Sequence, residues 1–164
     1  MASKLFNAVS KEVVQRAGQL IITVLTGTRH KGALEAAATA MADFCSKLLT
    51  NVTYESLPET WLSKVLEQME SSHMTASITR RSAGLPMLIR AIVSSEGRGK
   101  SGGRHLLGKA VSGLLQILQR GGRDAMSETQ DVAPTHALHV LRYFFPHTNV
   151  TKLGSMFSPH VLSG

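Results

Sequence analysis

Thr79-Arg80-Arg81-Ser82-Ala83-Gly84-Leu85-Pro86, continued by Met87-Leu88-Ile89-Arg90-Ala91-Ile92-Val93, is the stretch on which the fold turns. At 100° per residue, Ile78, Ser82, Leu85, Ile89 and Ile92 fall on one arc at heptad-like spacing, which predicts a helix over about 76–95. Arg80 and Arg90 point away from that arc, and Arg81 lies on its edge beside Leu88. Pro86 removes a ladder donor and Gly84 has no side chain. The segment is therefore expected to kink, or to turn before its helix, with a neighbour packed closely over Gly84.

The flanks on both sides also read as helices. Before the central stretch, Leu5, Phe6, Val9, Val13, Ala17, Leu20 and Val24 repeat at helical spacing behind a possible cap at Ser3, and Thr26-Gly27-Thr28 closes that helix. A second helix is expected over about 30–49, with Leu34, Ala37, Ala38, Met41, Phe44, Leu48 and Leu49 inward. Ser56-Leu57-Pro58-Glu59 opens a third, striped by Trp61, Leu62, Val65, Leu66 and Met69. After it, Glu96-Gly97-Arg98-Gly99-Lys100-Ser101-Gly102-Gly103 is a flexible basic loop by composition. A fifth helix over about 104–119 carries Leu107, Val111, Leu114, Leu115 and Leu118. A sixth spans about 134–145, and a seventh segment holds Leu153, Phe157 and Val161.

Helix follows helix without a convincing strand pair. Starts near 30 and near 76 are one two-helix HEAT or armadillo unit apart. The fold class is all-α, an armadillo/HEAT-like α-solenoid segment over 1–164, helical over about 1–95 and 104–164; a compact helical bundle is the competing architecture.

Composition agrees. At 164 residues with 43% apolar but only 5% aromatic side chains, the core must be built from Leu, Val, Ile, Ala and Met, which fill helices well. Cys45 is the only cysteine, so no intramolecular disulfide forms; it reads as a small core residue in a reducing compartment. The apolar run from Leu20 to Leu25 is too short for a signal-peptide core or a membrane span.

The net charge of +7 is concentrated in the middle of the chain. Between Arg80 and Arg123 nine Lys or Arg face Glu96 alone, whereas residues 1–79 hold seven basic and seven acidic side chains. A localised excess of this kind is the electrostatic footprint of a phosphate-bearing partner; a solvated basic loop is the plainer account.

Three motifs invite chemistry. Gly99-Lys100-Ser101 is the tail of a P-loop, but Ser94 stands where the motif needs Gly, and 87–93 reads as helix where it needs a strand. His136 and His139 are one turn apart without a third ligand at suitable spacing, so a metal site is the weaker reading. On that helix Ala137, Val140, Leu141 and Phe144 face inward, while His136, His139, Arg142 and Tyr143 share an outer arc, cationic and aromatic as RNA-contacting faces often are. Arg80 and Arg90 read as ligand-facing, and Arg81 as a structural tie to a neighbouring helix end. No nucleophile-and-base constellation is present, which argues for a binding module over an enzyme.

Residues 79–86, followed by His136-Ala137-Leu138-His139-Val140-Leu141-Arg142, resemble the central region of the THADA family. His30-Lys31-Gly32-Ala33-Leu34-Glu35 and Leu57-Pro58-Glu59-Thr60-Trp61-Leu62 resemble it too, in the same order. The family typically carries Asn where His139 stands, and the loop over 97–103 is unusually rich in Gly and Arg. The resemblance implies a piece of a much larger cytosolic (cytoplasmic) armadillo-type solenoid. Such proteins are the non-catalytic partners of an FtsJ-type methyltransferase, which uses S-adenosylmethionine to 2′-O-methylate a nucleotide of the tRNA anticodon loop. No cofactor is expected of this chain itself.

Two functional readings follow. The first is a regulatory or scaffold segment for tRNA methylation, whose RNA or partner contacts are Arg80, Arg81, Arg90, Arg98, Lys100, Arg104 and Lys109, joined by His139, Arg142 and Tyr143. The second is a protein-only α-solenoid adaptor whose basic region meets acidic protein partners.

Overall fold

The computed structural model describes residues 9–70, 84–96, 105–121 and 132–144. These form six helices and, among the described residues, no strand: α1 (Lys11–Gly27), α2 (Lys31–Leu49), α3 (Leu57–Glu70), α4 (Gly84–Ser94), α5 (His105–Gly121) and α6 (Val132–Phe144). The expected all-α repeat segment is what is seen. The expected loop beyond Glu96 and the seventh segment lie outside the described residues.

α4 is the hub, packing against each of the other five helices. Its sequence explains why. Leu85, Leu88, Ile89, Ala91, Ile92 and Val93 are all buried, which leaves Arg90 and Ser94 as its exposed side chains. A helix apolar nearly all round belongs inside a core, so the single arc expected from its periodicity understates its burial. Pro86 falls in the first turn of the helix as bounded, where its missing N–H costs no intrahelical bond. Gly84 meets the close neighbour expected of it: a Cβ there would run into the Leu25 carbonyl at the end of α1 and lie 3.1 Å from Leu34 Cδ2 of α2. Ser95, fully buried, satisfies its hydroxyl by donating to the Ile92 carbonyl at 2.6 Å.

Alternate helices lie side by side. α2 packs on α4 and α4 on α6 in one row, α3 on α5 in the other, and α2–α3 and α4–α5 are successive pairs linking the rows. That two-layer order is the one helical repeats use. Trp61 of α3 joins three helices, stacking on Phe44 of α2 at 6.0 Å between centroids and lying against Gly18 of α1. The Tyr54 hydroxyl donates to the Val9 carbonyl at 2.6 Å, tying the α2–α3 turn to the start of α1.

Two helices bury a different face from the one their spacing suggested. α1 begins at Lys11 behind an extended Ser10; Ser3, Leu5 and Phe6 of the expected helix lie outside the described residues. It buries Val14, Gly18, Ile22 and Leu25, while Val13, Leu20 and Val24 of the expected stripe are exposed. α5 buries Leu114 of its expected stripe, but with it Leu106, Ala110 and Ile117 from the adjacent arc, while Leu107, Val111, Leu115 and Leu118 are only half-buried. Each helix has apolar residues on two adjacent arcs, and the neighbours decide which is used. α3 buries its expected stripe; α2 buries Leu34, Met41 and Leu48 of its own, with Ala42 and Cys45 added, while Ala37, Ala38, Phe44 and Leu49 are half-buried at the edge of the core.

Candidate nucleic-acid interface

The described cations are positioned by three helices. Arg90, exposed on α4, lines an open groove of about 350 Å³ against α2, floored by Ala38, Ala42 and Ala91 and edged by Glu35, Thr39 and Ser94. Lys109, on α5, faces α3 instead, where its Nζ donates to Glu59 Oε1 at 2.7 Å. His105 Nε2 lies 3.1 Å from the same oxygen. Lys109 first, and His105 second, hold the Glu59 carboxyl below the usual carboxylate range. One helix turn beyond Gln116, Arg120 pairs with Glu70, again across α3 and α5. His139 and Arg142 are exposed on α6, opposite the buried Ala137 and Val140, as the helical wheel predicts.

Of the other sequence-predicted contacts, Arg80, Arg81, Arg98, Lys100 and Arg104 lie outside the described residues. Tyr143 belongs to α6, but its side chain is likewise outside them. Those that are described do not gather into one cluster. Arg90 opens toward α2, Lys109 toward α3, and His139 and Arg142 occupy the outer face of α6.

Sequence reasoning missed two features. The acids of α3 fold onto α5, so Lys109 and Arg120 sit against carboxylates from a part of the chain that is charge-balanced on its own. The second is Glu96. Its Oε1 accepts from the Leu106 N–H at 2.7 Å and its Oε2 from the Leu107 N–H at 3.2 Å. A carboxylate ten residues back therefore caps the positive end of α5 and brings the two ends of the basic loop together. The available signal was that Glu96 is the sole acid in a basic stretch, placed just before a helix start.

The same geometry disposes of the P-loop reading. The segment before Gly99-Lys100-Ser101 is helix α4, not a strand. The first N–H groups of α5, where a phosphate would bind, already hold the Glu96 carboxylate. Cys45 is fully buried and its thiol is pushed up to about 12 by desolvation, consistent with a core residue. Among the described residues no group of three metal-ligating side chains occurs, and no helix is long and apolar enough to cross a membrane.

Comparison with known proteins carries the reading further. A family profile described as THADA/TRM732, DUF2428 matches residues 1–163. The chain is 35% identical over 157 residues to the tRNA (32-2'-O)-methyltransferase regulator THADA of Homo sapiens, covering 93% of this chain and 8% of that protein. It is 34% identical over 160 residues to the Canis lupus familiaris protein of the same name, covering 95% and 8%. To the tRNA (32-2'-O)-methyltransferase regulator trm732 of Schizosaccharomyces pombe it is 30% identical over 139 residues, covering 83% and 9%. The chain thus spans less than a tenth of the relatives it matches. No solved structure matches it.

Proposed function

This chain belongs to the THADA/TRM732 family, and from that premise we propose that it forms a helical segment of a non-catalytic regulator of tRNA methylation. The regulator supports 2′-O-methylation of the anticodon loop by a partner methyltransferase of the FtsJ type, in the cytosol, by holding tRNA and enzyme in register. The observation that carries this reading is 35% identity, across 93% of the chain, to a protein named as such a regulator. An all-helical, repeat-like architecture and a basic middle third are in keeping with it.

In this proposal the chain touches phosphate through its basic loop, with Arg90, His139 and Arg142 as further contacts. Binding by released counterions leaves a measurable mark, because the affinity falls with salt by a slope close to the number of phosphates neutralised. The test is tRNA binding across a salt series, wild type beside Arg98→Ala/Lys100→Ala/Arg104→Ala. The wild type is expected to bind tRNA, and the triple variant to show a slope shallower by about 2–3. Equal binding to tRNA and to heparin, unchanged in the variant, overturns the proposal and favours the adaptor that meets acidic protein partners.

A further inference from the structure

α1 has two apolar faces, and among the described residues only one is buried. Val14, Gly18, Ile22 and Leu25 are buried against α2 and α4. About 140° round the helix, Val13, Leu20 and Val24 are exposed at 57%, 61% and 44%. Exposed apolar side chains are common singly, but these three form a row, at intervals of seven and four residues. The Tyr54–Val9 hydrogen bond sets the α2–α3 turn beside the start of α1, and that turn carries Val52, 85% exposed. Four of the five large exposed apolar side chains among the described residues thus belong to α1 and the turn tied to it; the fifth is Leu138 on α6.

We infer that this face of α1 seats another amphipathic helix, supplied by a part of the family's longer chain outside the matched stretch. The spacing is the first argument. Intervals of seven and four keep a row on one side of a helix, and from Val13 to Val24 it runs about 16 Å, three turns of a partner helix. A pocket for a small molecule is concave, and this row is convex. The second argument is charge. A helix that lies on a membrane has a polar face rich in Lys and Arg, whereas the polar side of α1 presents Gln15, Gln19 and Thr23 with Glu12 beside Arg16, and Lys11 is the helix's only other cation. The third is supply. The matched region is 8% of the human relative, so further chain is abundant there, and the helices described here already pack side by side. The inference rests on family membership alone and is independent of the tRNA reading.

The test uses this chain and, as probe, a synthetic peptide of about 45 residues, the length of one helical repeat, taken from immediately before the matched stretch of the human relative. Leu20→Lys places a charge in the row; Gln19→Lys places the same charge on the polar side. Circular dichroism melts establish that both variants fold, as substitutions at exposed positions should. The peptide is expected to bind wild type and Gln19→Lys alike, and Leu20→Lys at least tenfold more weakly. The inference is overturned by any of three results: no binding to wild type, or binding unchanged in Leu20→Lys; self-association of the wild type that Leu20→Lys abolishes, which assigns the face to a second copy; or Leu20-dependent binding to phosphatidylcholine–phosphatidylserine vesicles, which assigns it to lipid.

Discussion

Gly84 is pressed against the Leu25 carbonyl and the Leu34 side chain, at the point where α1, α2 and α4 converge. Because backbone on the far side cannot yield, Gly84→Ala should destabilise the fold by about 2–3 kcal/mol, read as a lower denaturant midpoint at unchanged slope. A close approach here was legible in the Gly-Leu-Pro run; its partners, some fifty residues away, were not. Glu59 presents a milder case. Its folded pKa lies below the ordinary carboxylate value, so its pairing with Lys109 and His105 stabilises the fold above that value and is lost as pH falls through the folded one. The pair is partly solvent-exposed and screened, so Glu59→Gln should cost under about 1 kcal/mol at pH 7. Its signature is a smaller loss of stability on acidification below about pH 4.5 than the wild type shows, measured by urea unfolding at several pH values. Cys45, by contrast, should resist iodoacetamide in the native state and react once denatured, since burial keeps its thiol protonated.

Among the elements, α5 shows how a helix end is held by a residue outside it. Glu96 satisfies two of the N–H groups that its first turn leaves without intrahelical partners. Glu96→Ala should cost about 1 kcal/mol and speed hydrogen exchange at the Leu106 and Leu107 amides, while leaving the overall helix content unchanged. Exchange equally protected in both proteins would show that the clamp is not retained in solution. Helix existence follows from local signals, and so do most of the limits, the start of α1 at Lys11 excepted. His30 precedes α2, Pro58 sits in the first turn of α3, and Thr28 ends α1 with its N–H on the Val24 carbonyl at 3.0 Å. The buried arc of α1 and α5 does not follow from such signals. In both helices two adjacent arcs are apolar enough to enter a core, and only the packing of neighbours separates them.

For the whole molecule, charge counted along the chain differs from charge counted in space. The middle third is strongly basic, yet two of its cations on α5 meet carboxylates that α3 contributes from 50 residues earlier. Lys109→Ala with Arg120→Ala should therefore change the salt slope of tRNA binding by less than about 1, against the larger change expected from the loop triple variant. A comparable drop in both would mean that RNA displaces the α3 carboxylates. The sequence by itself determined the all-α class, the order and approximate positions of the described helices, the central place of 84–94 and the family. Periodicity, turn residues and caps act over a few neighbouring positions, and short motifs in a set order carry kinship. Only the tertiary structure decided which face of α1 and α5 is buried, what covers Gly84 and which cations stand against carboxylates. Those outcomes depend on groups brought together from positions 50 or more residues apart, and a one-dimensional pattern does not contain that proximity.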